Sequence, residues 1–352
     1  MRPSQIEELG VQLLKPTTKE LRFPARLGIK GSPGLGKTEV MKKIVRRLHE
    51  ESGEPWQLLM KHAVTEDPTD NKGMPCLIRH KDGQTEAEFV PFGQLKQIIT
   101  TEVNTVVFHD DVGQGSDATN ASQMQVLWGG KINEHEISPM VRHVMATNRR
   151  QDRAAVKGII APFIDRFVTI VEMHFDEDDW ATWALEHEMP TDLVAFVKYK
   201  PDLIAEAVPS RDIEKVPTPR ACEALGHLIN MGVTQAEAMG GAVGPGFAGL
   251  YRAFRDVWHS LPSIESIIRN PKDAIVPDKD RPDVLYALAA SLAYKVKVTT
   301  MKPVVTYLNR IPDEYSVLCM KDMMLRPESK KLQATKAYSE WVLEHKDAFG
   351  LK

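Results

Sequence analysis

The chain has 352 residues, 42% of them hydrophobic and 26% charged, and a formal net charge of −3 at pH 7. This is the balance of an ordinary globular protein long enough for two domains and a sizeable core. It gives no overall electrostatic case for nucleic acid or an acidic membrane as partner. The three cysteines, Cys76, Cys222 and Cys319, show no metal-type spacing, so reduced thiols in a cytoplasmic protein are expected.

Residues 1–24 read as an N-terminal helical segment. Met1 to Ser4 lead into Ile6, Leu9, Val11, Leu13 and Leu14 with charges interspersed, which leaves no secretory apolar region. Arg26-Leu27-Gly28-Ile29 then reads as a short strand. It enters Gly31-Ser32-Pro33-Gly34-Leu35-Gly36-Lys37-Thr38, a full match to the phosphate-loop pattern G-x-x-x-x-G-K-[ST]. A phosphate chain needs backbone N–H groups at close range, and Gly31, Gly34 and Gly36 permit that approach. Lys37 supplies a point charge to the β- and γ-phosphates, and Thr38 offers a hydroxyl to Mg²⁺. Val40, Met41, Ile44, Val45 and Leu48 follow at helical spacing, so a helix N-terminus faces the anion. Lys42, Lys43, Arg46 and Arg47 read as the solvent face of that helix rather than a nucleic-acid patch.

Further strand-like runs at 57–60, 105–109, 143–146 and 167–171 alternate with helical patterns, which predicts a mostly parallel sheet covered on both faces. Two segments break the alternation as hairpins, Leu77 to Val90 around Lys81-Asp82-Gly83-Gln84 and Gly129 to Ile137. The run ending in Phe108-His109-Asp110-Asp111 supplies carboxylates at a strand terminus. Asp110 is the candidate for the Mg²⁺ shell and Asp111 for the base that polarises water. Asn148, after Val144-Met145-Ala146-Thr147, either orients that water and reports the γ-phosphate or simply forms a turn. Arg149, Arg150, Arg153 and Arg166 follow, as a solvated cluster or as arginines at an edge facing a neighbour's nucleotide.

After Asp176-Glu177-Asp178-Asp179 the strand signal stops. Residues 180–185, 193–197, 220–231, 247–261, 283–294 and 334–343 read as amphipathic helices. Val284 to Tyr294 is the most apolar window, about half of the roughly 20 residues of a membrane span, and reads as a buried helix. Gly244 to Gly249 fits the dinucleotide pattern G-x-G-x-x-G formally, but no strand precedes it, and it reads as a loop opening a helix.

The order of these motifs, with Ala161-Pro162-Phe163-Ile164-Asp165-Arg166-Phe167, Pro217-Thr218-Pro219-Arg220 and the segment Glu66 to Pro75, resembles the AAA+ ATPases, and among them the MoxR-like group of the helix-2-insert clade. The resemblance implies a P-loop AAA+ core over 25–173 and a helical lid with a C-terminal helical region over 174–352. It implies ATP and Mg²⁺ as cofactors, Arg166 as an arginine finger acting on the adjacent subunit, and Arg220 as a sensor arginine at the start of a lid helix. The hairpins at 77–90 and 129–137 resemble inserts that face a ring pore or substrate. A hexameric homo-oligomer that hydrolyses ATP to remodel a protein partner, such as one with a von Willebrand factor A domain, is the expectation. The rivals are a nucleic-acid motor and an ATP-gated scaffold with weak hydrolysis. The chain departs from the family in carrying Asp110-Asp111 where Asp-Glu is usual, and His109 where an apolar residue is usual.

Overall fold

A computed structural model describes residues 1–15, 25–79, 81, 83, 85–128, 130–152, 159, 161–205 and 214–349. Arg153, the hairpin residues His80, Asp82, Gln84 and Gly129, and residues 16–24 of the N-terminal segment lie outside them. Two compact units divide the chain, Met1–His174 and Phe175–Lys352.

The first unit contains strands β1 (Leu27–Lys30), β2 (Trp56–His62), β3 (Met74–Arg79), β4 (Thr85–Val90), β5 (Asn104–Asp110), β6 (Lys131–Ile132), β7 (His135–Glu136), β8 (Val141–Thr147) and β9 (Thr169–Glu172). Its helices are α1 (Pro3–Leu14), α2 (Lys37–Ser52), α3 (Thr69–Lys72), α4 (Gly93–Thr100), α5 (Asp117–Trp128) and α6 (Ala161–Ile164). Five strands form a parallel sheet in the order β2-β5-β8-β1-β9, while β3-β4 and β6-β7 are separate antiparallel hairpins. Phe167 stands ahead of β9 rather than within it. Its ring packs 5.6 Å from Phe163 in a small apolar cluster with Val112, Leu127 and Met145.

Alternation along the strands sends Leu27, Ile29, Val106, Phe108, Val144 and Ala146 to one face, where they pack with Met41, Ile44 and Leu48 of α2 and with Ile6, Val11 and Leu14 of α1. Each fully buried Leu, Ile, Val, Met or Phe side chain among them contributes about 1.5–3 kcal/mol of transfer free energy. The packing fixes α2 against β1, and so fixes the loop between them. The basic residues on the outer side of α2 are neutralised locally: Arg47 pairs with Glu7, Glu8 and Glu51, Arg46 with Glu50, and Lys42 with Glu39.

The second unit is helical: α7 (Glu177–Glu186), α8 (Thr191–Tyr199), α9 (Asp202–Ala205), α10 (Pro219–Asn230), α11 (Ala236–Val243), α12 (Pro245–His259), α13 (Ile264–Arg269), α14 (Pro282–Lys295), α15 (Met301–Leu308), α16 (Asp313–Asp322), α17 (Ser329–Gln333) and α18 (Lys336–Glu344). Side-chain caps start several of them, with Asp176 accepting from Asp179 N and Thr218 from Ala221 N. Gly244 lies between α11 and α12 and opens a helix. The apolar face of α14 lies in a core with Phe196, Tyr251, Phe254 and Met320. The α/β core with a mostly parallel sheet and the helical C-terminal region expected from sequence are the architecture observed. Among the described residues no helix is long and apolar enough to cross a membrane.

Candidate nucleotide site

The loop from Gly31 to Gly36 joins the C-terminal end of β1 to the N-terminus of α2. Gly36 caps α2 at φ 92°, a left-handed conformation that side chains with a Cβ rarely adopt. At Gly31 a Cβ would lie 3.0 Å from the Met173 carbonyl, so the loop's entry requires the missing side chain. Lys37 is the first residue of α2 and is buried. Its Nζ donates to Gly31 O and Ser32 O, each at 3.0 Å, and to Asn148 Oδ1 at 2.7 Å.

The sheet order puts β8 beside β1 and β5 on the far side of β8, and the C-terminal ends of β5 and β8 bring the remaining candidates to the loop. Thr38 Oγ1 donates to Asp110 Oδ2 at 3.2 Å. Asn148 Nδ2 donates to Asp111 Oδ1 at 2.9 Å, so one side-chain amide bridges Lys37 and Asp111. The ammonium has only donors and the carboxylate only acceptors, which fixes the orientation of that amide. Asp111 lies at φ 55°, and a short 3-10 turn, Val112–Gln114, follows it. A residue with a Cβ held there costs about 1–3 kcal/mol of backbone strain, and Asp and Asn tolerate it best. Burial and the neighbouring Asp110 raise the Asp111 carboxyl above its usual range, against the opposing pull of Lys37 and Asn148.

Thr38 and Asp110 together offer hard oxygen ligands, the donor set Mg²⁺ accepts when phosphate and water complete its octahedron. Among the described residues no group of three or more His, Cys, Asp or Glu side chains converges to hold a metal by itself. Arg166 is half-buried and folded onto its own chain, its Nε donating to Met124 O at 3.2 Å and its Nη1 to Pro162 O. Arg220 lies in the second unit, exposed in the first turn of α10.

Three features escape sequence reasoning. Arg149, one residue beyond Asn148, pairs with Asp152 and donates to Ser32 Oγ in the phosphate loop. His109 and His143 meet across β5 and β8 with Nε2 and Nδ1 3.1 Å apart, and burial above all pushes both imidazoles down, His143 to about 3. On the same sheet face Lys61, 2% exposed, lies 3.4 Å from Glu66 Oε1 and donates to Asn71 Oδ1 at 2.7 Å. Asn71 and Gln123 donate to Glu66 Oε2 at 3.1 and 3.0 Å, and Asn133 Nδ2 donates to Lys72 O at 2.9 Å. The short helix α3 is therefore tied to β2, α5 and the β6-β7 hairpin at the point where the β3-β4 hairpin begins. Periodicity identifies none of these partners, because each is brought in by the fold.

No protein-family model and no curated protein matches this chain. Similar solved structures include a replication initiator DnaA bound to AMPPCP and single-stranded DNA, at 14% identity over 97% of this chain and 92% of that one, with a TM-score of 0.38. The Thermotoga maritima RuvB Holliday junction branch migration motor is 12% identical over 97% of this chain and 86% of its own, TM-score 0.36. NtrX from Brucella abortus in complex with ADP is 14% identical over 92% and 68%, TM-score 0.40. At TM-scores this low these likenesses carry no argument, and the phosphate-loop fold rests on the sheet order and the loop described above.

Proposed function

We propose that this chain is an AAA+ ATPase of the MoxR-like group, which binds ATP with Mg²⁺ and hydrolyses it in a homo-oligomeric ring, hexameric by the family resemblance, to remodel a protein partner in the cytoplasm. The observation that carries the reading is the convergence of Lys37, Thr38, Asp110, Asp111 and Asn148 at the ends of three adjacent strands. Gly31 to Thr38 hold the phosphates, Thr38 and Asp110 hold the metal, and Asp111 accepts a proton from the attacking water. Asn148 orients that water, while Arg166 and Arg220 stabilise charge on the transferring phosphate.

A protein client, of the von Willebrand factor A type in this reading, suits the β3-β4 hairpin. Its apolar Leu77 and Phe89 are exposed, and Arg79 and Lys81 are offset by Glu86 and Glu88. A nucleic-acid motor calls for a basic and aromatic lining there.

The test is a mixing experiment. Arg166→Ala and Lys37→Ala, each expected to hydrolyse ATP poorly alone, regain part of the activity together, because some interfaces then join an intact loop to an intact arginine. A guanidinium supplied across an interface is worth about 10³–10⁵ in rate in related phosphoryl transfers. Full specific activity in a demonstrable monomer would overturn the shared site.

A further inference from the structure

Arg149 Nε lies 3.1 Å from both carboxylate oxygens of Asp152, and Nη2 lies 2.8 Å from Oδ1. The Arg149 backbone N–H donates to Asp152 Oδ2 at 3.1 Å, so the pair is closed through main chain and side chain alike. Asp152 is only 5% exposed and the Arg149 side chain 25% exposed, so this is a part-buried ion pair held by several hydrogen bonds rather than a loose surface contact. From that anchor Nη2 also donates to Ser32 Oγ, and Ser32 Oγ donates to Asp152 Oδ1 at 3.3 Å. On the other side Nη1 lies 3.4 Å from Glu172 Oε1, and Glu172 receives Lys30 Nζ at 2.8 Å.

Ser32 is thereby gripped twice. Lys37 holds its carbonyl and the Arg149–Asp152 pair holds its hydroxyl. Both contacts act on the second residue of the phosphate loop, whose backbone direction decides where the following N–H groups point. A planar guanidinium with five donors in a fixed fork suits this work, since it can bridge two carboxylates and a hydroxyl at once.

Resting on the nucleotide-site reading above, we propose that Arg149 is a positioning residue acting in cis: paired with Asp152 it fixes Ser32 and so sets the loop's affinity for the triphosphate, rather than reaching a neighbour's nucleotide.

The experiment compares the parent with Arg149→Ala and Ser32→Ala by calorimetry with a non-hydrolysable ATP analogue and by steady-state hydrolysis. Losing one charge-assisted contact that orders the loop is expected to raise the dissociation constant and KM about tenfold in Arg149→Ala, with a smaller loss in kcat. Ser32→Ala, which keeps the ion pair, should move both in the same direction by a smaller factor, and it carries the test if Arg149→Ala fails to fold. Mixing Arg149→Ala with Lys37→Ala should give no regain. A hundredfold loss of kcat with KM unmoved and activity regained on mixing would make Arg149 a trans-acting arginine and overturn the proposal. Unchanged affinity in both variants would overturn it too. A parent that binds no ATP would overturn the reading of the site itself, and this proposal with it.

Discussion

Asn148 accepts from Lys37 and donates to Asp111, so the charge proposed to meet phosphate and the carboxylate proposed to meet water share a single amide. Strand β8 delivers that amide between β1 and β5, and the parallel order of the sheet makes the bridge possible.

Asp111 is expected to be the residue whose chemistry, rather than whose shape, matters. Asp111→Asn keeps the left-handed backbone, which Asn also tolerates, but removes the basic oxygen. Binding of ATP should persist while phosphate release falls at least about a hundredfold. Asp111→Glu, with the longer side chain usual in the resembling family, should hydrolyse at least as fast as the parent. A silent parent rescued by Glu would favour the weakly hydrolysing scaffold, and an Asn variant at full rate would remove Asp111 from catalysis.

The Lys61–Glu66 pair sits under the hairpin junction with both side chains at most 9% exposed. Lys61→Met leaves a buried carboxylate without its cation, and breaking such a pair costs about 3–5 kcal/mol. Adding Glu66→Gln removes the orphaned charge, so the double variant should be more stable than the single one. Urea unfolding of both measures the difference. A Lys61→Met cost under about 1 kcal/mol would show that the buried pair adds nothing.

Buried neutral histidines make stability depend on pH with a definite sign. His143 has a folded value near 3 and His109 is also depressed, so below the ordinary value of 6.5 the unfolded chain binds protons that the folded chain refuses. Stability is therefore full above that value and falls as pH drops, each histidine contributing at most about 1.4 kcal/mol per pH unit. His143→Asn retains a polar group near the Nδ1 position but does not titrate. Its loss of stability between pH 7.5 and 5 in urea titrations should be smaller than the parent's, and an equal loss in both would show that His143 carries no such linkage.

The phosphate loop, the strands and the acidic strand end were legible in sequence because local rules determine them: glycine where the backbone turns, apolar runs where strands are covered on both faces, carboxylates where a strand stops. Helix α5 was not legible, since it buries Asn120, Ser122 and Gln123 and shows no apolar stripe. His109 stands out in sequence only as a departure from the usual apolar residue, and only the register of β5 against β8 brings His143 to it. Arg149 reads as one of several arginines, because its partner Ser32 lies 117 residues away in the chain.

Direct ATP binding tests the central claim most plainly. Calorimetry on the parent with Mg²⁺ present should show saturable binding, and Lys37→Ala should weaken it about 10- to 150-fold, the value of one charge-assisted contact to phosphate. Equal affinity in parent and variant, or no binding by a folded parent, would contradict a nucleotide held at Gly31 to Thr38.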